Sequence, residues 1–162
     1  MSKLIFSLIF PICIFGCARI PVEKPEHQDH TATEKWAKEY ALMAVDYQKR
    51  NIKTGCGFKG ETWHDDYAAH QEWAMKVSAM DSETDIEERK IVLEHCEKAA
   101  SYTDKAIEQY NENIKNKCGL QGPIWHNDRD GHFAWAEAQS EETLKMHIEL
   151  RGGMLEECKT WP

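Results

Sequence analysis

Residues 56–74 read CGFKGETWHDDYAAHQEWA, and residues 118–136 read CGLQGPIWHNDRDGHFAWA. Both stretches keep a Cys-Gly, a Gly, a Trp-His, an Asp, a His and a Trp-Ala at the same spacing. The correspondence extends without a gap when residues 37–96 are laid over residues 99–158, and positions that coincide in this overlay are called equivalent below. An internal repeat of this length predicts that each copy is one structural unit.

The hydrophobic pattern divides each unit into three helices. In the first unit, Thr31 and Glu34 form a capping-box pattern at the start of a helix that should end near residues 55–57. A second helix should begin at about Asp66, which suits an N-cap, and a third around residues 81–82. The apolar helical faces comprise Trp36, Tyr40, Met43, Tyr47, Trp73, Ala74, Val77, Ile86 and Leu93, and then Tyr102, Ala106, Tyr110, Ile114, Trp135, Ala136, Leu144, Ile148 and Leu155.

No persuasive alternating strand pattern is found anywhere in the sequence. We therefore predict an all-α protein made of two tandem three-helix repeats, over residues 31–98 and 99–162. The sequence leaves two arrangements open. The repeats could pack side by side, or one long helix across residues 83–116 could join them.

Four cysteines of the two units, Cys56, Cys96, Cys118 and Cys158, permit three disulfide pairings. If the second helix runs down for about 14 residues and the third returns for as many, Cys96 comes back to the level of Cys56. We therefore predict that Cys56 pairs with Cys96 and that Cys118 pairs with Cys158, so that one disulfide staples each repeat. Zinc binding is the alternative, but these cysteines lack the close paired spacing of zinc ribbons.

The first seventeen residues read MSKLIFSLIFPICIFGC, a short positive start followed by an apolar stretch too short to span a bilayer. Ile14, Gly16 and Cys17 resemble the lipobox of bacterial lipoproteins. The resemblance implies that the signal peptide 1–16 is removed and that Cys17 is diacylated, so that residues 17–30 form a lipidated, flexible tether. An ordinary secretory signal cut near the same point is the alternative.

Ala18 follows the lipidated cysteine, where an Asp would retain an enteric lipoprotein at the inner membrane. We therefore expect a lipid anchor in the outer membrane, facing the periplasm, although the sequence does not exclude the inner membrane. The chain has a net charge of −8, which becomes −9 when the single lysine of the leader is removed. This charge argues against a nucleic-acid partner and favours a basic protein partner, or simply solubility.

The polar residues that recur are His64, Asp66 and His70 in the first stretch and His126, Asp128 and His132 in the second. They could bind a metal or exchange protons. A structural role is favoured because catalysis usually needs one site, whereas residues that hold a fold must persist in both copies. We expect both aspartates to cap helices and the second histidine of each set to be hydrogen-bonded in the core. We assign no catalytic residue, metal ligand or cofactor.

The sequence contains no Gly-x-Ser-x-Gly, no glycine-rich phosphate loop and no Cys-x-x-Cys-His. It therefore favours a binding protein over an enzyme. We expect an envelope lipoprotein that binds a protein partner, as an inhibitor or immunity-type factor that neutralises a periplasmic toxin or hydrolase. The alternatives are an exclusion or assembly factor of an envelope machine, and a metal-binding lipoprotein that uses the duplicated His and Asp residues.

Overall fold

The computed structural model describes residues 30–160, and their side chains from Thr33 onward. The predicted leader, Cys17 and the tether up to residue 29 lie outside the described residues. Five helices follow one another, α1 (His30–Thr54), α2 (Tyr67–Lys76), α3 (Ala79–Asn116), α4 (Arg129–Glu137) and α5 (Glu141–Thr160). Residues 30–160 contain no strand, so the all-α prediction is confirmed. None of these five helices combines the length and the hydropathy needed to cross a membrane.

The long helix α3 connects the two halves of the structure. It has 38 residues, which corresponds to a length of about 57 Å. Helix α1 packs against α2 and α3, and α3 packs in turn against α4 and α5. No glycine or proline interrupts residues 79–116, so the helix continues through the predicted boundary between residues 98 and 99. The long helix across residues 83–116, which the sequence left open, is observed.

Two hydrophobic cores lie along this helix. The first contains Tyr40 and Ala44 of α1 together with Ile86 and Leu93 from the first part of α3. The second contains Tyr102 and Ala106 from the later part of α3, with residues of α4 and α5. Because α3 contributes to both cores, it is the last helix of the first half and the first helix of the second half.

The observed helix ends correct two details of the prediction. Helix α1 already begins at His30, so Thr31 lies within the helix and is not its N-cap. A first helical turn has no intrahelical acceptor for its amides in any case, so a helix can extend past a threonine at little cost. Helix α3 is capped by Ser78, whose hydroxyl accepts from the amide of Asp81, while Ser82 is buried one turn inside.

Two disulfides fix the ends of helices to one another. Cys56, just after α1, is bonded to Cys96 in α3, with 5.9 Å between the Cα atoms. Cys118, just after α3, is bonded to Cys158 in α5, with 5.6 Å between the Cα atoms. The observed pairing is the one predicted from the helix lengths. Since each bridge spans 40 residues, loop entropy gives each a stabilisation of about 4 kcal/mol.

Two aromatic or aliphatic positions of the predicted core are more exposed than expected. Ile114 is 59% exposed, because in the last turn of α3 the neighbouring Asn113 is the residue that faces the interior. Trp73 packs against Tyr40 with 5.1 Å between the ring centroids, yet it remains 38% exposed. Helix α2, which carries Trp73, has only ten residues, and of these only His70 and Ala74 are buried.

Candidate functional site

The loop that carries each quoted stretch is held by a buried asparagine. Asn51 donates its amide to the carbonyl of Phe58 at 2.8 Å and accepts from the amide of Phe58 at 3.0 Å. Asn113 makes the same pair of bonds with Leu120 at 2.8 and 3.0 Å. Each asparagine is 2% exposed. A side chain that satisfies both backbone groups of one loop residue fixes the loop on the helix end.

The three duplicated polar residues form one turn that leads into α2. The amide of Asp66 donates to Nδ1 of His64 at 3.2 Å, and the carboxylate of Asp66 accepts from the amide of Ala69 at 3.1 Å. His70 donates from Nε2 to the carbonyl of His64 at 3.0 Å. The two imidazoles are stacked, with 4.0 Å between their centroids. The predicted N-cap and the predicted core hydrogen bond of His70 are both confirmed.

The second stretch builds the same turn before α4. The amide of Asp128 donates to Nδ1 of His126 at 3.2 Å, and its carboxylate accepts from the amide of Gly131 at 3.0 Å. His132 donates to the carbonyl of His126 at 3.1 Å, and these two imidazoles are stacked at 4.0 Å. Capping by Asp128 and the core hydrogen bond of His132 are therefore also confirmed.

Burial disfavours the charged form of the inner histidine of each turn. It lowers the pKa of His70, and it lowers the pKa of His132 for the same reason, since water no longer solvates the charged ring. Each inner imidazole also meets a tyrosine edge-on, Tyr40 at 6.0 Å and Tyr102 at 6.1 Å between centroids. The imidazole, carboxylate and amide groups of these turns are thus engaged with one another and with the core.

The described residues do not gather these groups into a set of metal ligands. Among residues 30–160, no cluster of three or more His, Cys, Asp or Glu side chains has the geometry to hold an ion. The carboxylates of Asp66 and Asp128 face helix amides, and Nε2 of His70 faces a carbonyl. What this arrangement does chemically is to begin a helix and orient its first turn.

A buried arginine packs on the tryptophan that precedes each turn, and the sequence pattern did not predict this role. Arg89 is 4% exposed, lies over the ring of Trp63 at 4.8 Å and donates to the carbonyl of Ala44 at 2.9 Å. Asp85, one turn earlier in α3, is 3.8 Å away. An arginine stacked on an indole gains cation–π attraction in addition to its hydrogen bonds.

Arg151 occupies the equivalent place in the second half and is fully buried. It lies over Trp125 at 4.5 Å and donates to the side chain of Gln109 at 2.9 Å and to the carbonyls of Ile124 and Ala106. Burial lowers the pKa of Arg151. The signal for both arginines was available, because Arg89 and Arg151 coincide when the two copies are overlaid.

The two halves differ where α1 packs on the start of α3 and where, at the equivalent place, α3 packs on the start of α5. In the first half, Trp36 donates from its indole to the hydroxyl of Ser82 at 2.6 Å, and Tyr40 donates to Asp85 at 2.7 Å. Burial and this hydrogen bond raise the pKa of Tyr40. When the overlay is extended back to Trp36, the equivalent positions of Trp36, Ser82, Tyr40 and Asp85 hold Lys98, Leu144, Tyr102 and His147. Only the tyrosine is kept, so the neighbourhood of Tyr102 is chemically different from that of Tyr40.

Exposed apolar side chains are another difference between the halves. Met75, Met80, Met146 and Leu150 are 45%, 74%, 57% and 55% exposed. The equivalent positions in the other half hold Glu137, Glu142, Thr84 and Glu88, in that order. Most of the interior therefore recurs, except around Tyr40 and Tyr102. These four exposed apolar side chains belong to one half each, whereas the exposed Ile52 and Ile114 are equivalent.

Comparison with protein-family models, with curated proteins and with solved structures found no significant match to this chain.

Proposed function

We propose that this protein is a lipid-anchored, protein-binding module of the cell envelope, acting as an inhibitor or immunity-type factor against a periplasmic toxin or hydrolase. The anchor is supported by the sequence Ile14-Phe15-Gly16-Cys17, and Ala18 supports the outer membrane. A lipid anchor would keep the inhibitor on the membrane surface at which an attacking protein arrives. The cysteine would carry the acyl chains, since several chains are needed for lasting attachment.

We further propose that residues 31–98 and 99–162 are two copies of one three-helix unit that share α3. Equivalent contacts support this proposal, because they recur in both halves with nearly the same distances. They are the loop bonds of Asn51 and Asn113, the stacked pairs His64–His70 and His126–His132, the stacks of Arg89 on Trp63 and Arg151 on Trp125, and the two disulfides.

The observation that carries the binding function is the contrast between this recurring interior and the exposed apolar side chains. A scaffold needs the same interior twice, whereas a partner contacts one particular surface. Met75 and Met80, for example, flank the short connection between α2 and α3, and their counterparts are glutamates. Two exposed methionines at one helix connection suit a partner contact, because the flexible methionine side chain adapts readily to the surface it meets.

The charge of the chain indicates which partner would be favoured. With 28 acidic and 20 basic residues, the protein attracts a basic partner at long range and accelerates its association. We therefore propose that the toxin or hydrolase is a basic protein.

The test is capture followed by an activity assay. The purified, disulfide-bonded protein is immobilised and exposed to envelope extract, and each captured protein is assayed for toxic or hydrolytic activity with and without an equimolar amount of the free protein. The proposal expects a basic partner that forms a 1:1 complex and loses its activity. A captured partner that keeps full activity at a molar excess of the protein would contradict inhibition.

Exchange of exposed residues between the halves would locate the contact surface. Met75→Glu, Met80→Glu, Met146→Thr and Leu150→Glu each install the residue of the other half at an exposed position. We expect at least one exchange to weaken the complex about tenfold or more while the melting temperature stays unchanged. If all four variants bound as the wild type does, the argument from exposed apolar side chains would be wrong.

A further inference from the structure

Two equivalent clefts lie beside the loops that follow α1 and α3. The residues that line the first include Asn51, Ile52, Phe58, Lys59 and Trp63, and its volume is about 330 Å³. The second has a volume of about 410 Å³, and every residue that lines it is equivalent to a residue that lines the first. The fold therefore builds the same small cleft twice.

An exposed isoleucine lines each cleft. Ile52 is 66% exposed and Ile114 is 59% exposed, and among the exposed large apolar side chains of residues 33–160 they are the one pair at equivalent positions. Neither belongs to a hydrophobic core, and isoleucine is not one of the strongest helix formers. The stability of the fold therefore does not explain why both halves keep this side chain, whereas an apolar ligand in the cleft would.

Each cleft also carries a positive charge. Lys59 lines the first and Lys117 the second, and of residues 30–160 no acidic one lines either cleft. Both lysines are exposed, and within the same range neither is paired with a carboxylate. They stand at different positions, since the equivalents of Lys59 and Lys117 are Gln121 and Gly55. Each half thus keeps one lysine in its cleft, and the charge of both clefts suits an anionic group.

The loops add backbone donors to the lysines. Gly57 and Gly119 line the two clefts with φ +76° and +66°. Their amides donate to no acceptor within residues 30–160, and both glycines are exposed. Free backbone N–H groups are one of the recurring means by which proteins hold the carboxylate at the end of a chain.

We infer that each cleft binds the C-terminal residue of a polypeptide, with its apolar side chain on the isoleucine and its carboxylate at the lysine and the loop amide. A chain end fits this chemistry because its side chain and its carboxylate are attached to the same carbon atom. An internal aspartate or glutamate has no apolar group at that place. The inference goes beyond the proposed function, because it requires neither the lipid anchor nor inhibition, and two equivalent clefts give two bound chain ends per molecule.

The peptide acetyl-Ala-Ala-Leu with a free carboxylate is the probe, and the same peptide with a C-terminal amide is its matched control. Each is titrated into the purified disulfide-bonded protein and followed by ¹⁵N–¹H NMR. We expect saturable shifts of the amide signals of Ile52 and Lys59 in the first cleft and of Ile114 and Gln121 in the second. The amidated peptide should bind about fivefold or more weakly, because it lacks the charge.

Two exchanges between the halves test the role of charge. Lys59→Gln installs the residue of the second half, and Lys117→Gly installs the residue of the first. Each should weaken peptide binding about fivefold or more at its own cleft and leave the other cleft unchanged. Lys53→Gln and Lys115→Gln are the matched controls, because both lysines are exposed and line neither cleft.

The apolar contact is tested by Ile52→Ala/Ile114→Ala, which should weaken binding at both clefts about fivefold or more. Both side chains are exposed, so the melting temperature should stay nearly unchanged.

Four results would overturn the inference. They are an absence of saturable shifts at both clefts, equal affinity for the amidated peptide, lysine exchanges that act no more strongly than their controls, and hexanoate binding as tightly as the peptide. The last result would identify a free aliphatic acid as the occupant. Inhibition of a captured partner is measured separately, so the proposed function would stand if this inference failed.

Discussion

Replacing Lys117 by glycine should stabilise the protein. Lys117 ends α3 with φ +55°, the left-handed conformation, and its amide donates to the carbonyls of Asn113 and Ile114. The equivalent position in the first half is Gly55, with φ +76°. The amides of Cys56 and Cys118 then donate to the carbonyls of Asn51 and Asn113 at 3.1 and 3.0 Å, so both helices end in the same way. Only the second helix places a Cβ atom in this conformation.

The expected gain follows from two opposing effects. A side chain in the left-handed region costs about 1–2 kcal/mol. Glycine recovers this energy but adds about 0.4–1 kcal/mol of conformational freedom to the unfolded chain. The net stabilisation of Lys117→Gly should be about 0.5–1 kcal/mol, which corresponds to an increase of about 1–4 °C in melting temperature for a chain of this size.

Urea unfolding with both disulfides intact is the assay, because it gives the midpoint and the slope separately. Two variants serve as controls. Gly55→Lys should lower the stability by a similar amount, and Lys115→Gly, two residues away inside α3, should lower it by up to about 1 kcal/mol because glycine is unfavourable within a helix. If Lys117→Gly were neutral or destabilising while Lys115→Gly behaved as expected, the strain assigned to Lys117 would be refuted.

Three further predictions concern the anchor, a disulfide and the buried histidines. Cys17→Ala should release the protein from membranes, and labelling with radioactive palmitate should detect acylation only in the wild type; a wild-type protein without label would refute the anchor. The double variant Cys56→Ser/Cys96→Ser should lose up to about 4 kcal/mol, measured by urea unfolding; a loss well below about 1 kcal/mol would contradict the loop-entropy argument. Burial lowers the pKa of His70 and His132, so the unfolded state binds more protons and stability should fall as the pH drops below about 6.5 toward the depressed folded pKa values. Urea midpoints between pH 5 and 8 should show a weaker pH dependence in His70→Gln/His132→Gln, and an unchanged pH dependence would show that these rings do not cause the loss.

The helical class, the two N-caps and the disulfide pairing were predictable because they follow from local rules. An Asp just before a short apolar helix can satisfy a free amide whatever the rest of the chain does, and Asp66 does so. Cys56 and Cys96 were paired on the assumption of two helices of about 14 residues each; α2 has only ten, but the return of α3 toward the end of α1 still brings the two cysteines together. Local rules could not exclude a break in the helix near residue 98, so only the structure shows that α3 is continuous.

The buried arginines were not predicted, because their burial depends on partners far away in sequence. Arg89 reaches the carbonyl of Ala44, 45 residues away, and the ring of Trp63. A charged residue in an exposed-looking helix gives no sign of such contacts by itself. Its recurrence as Arg151 was the available sign, since surface positions such as Met80 and Glu142 differ freely between the halves.

The continuity of α3 has a consequence for digestion by proteases. A protease cuts chain that is locally unfolded and extended, and in most proteins the segment between two units is the first to offer it. Here residues 96–99 lie inside a helix and hold Cys96 and Ala99, which are both 1% exposed. Cleavage between the halves therefore requires α3 to melt within both hydrophobic cores. Limited proteolysis should therefore leave residues 30–160 as one resistant fragment, rather than as two half-length ones.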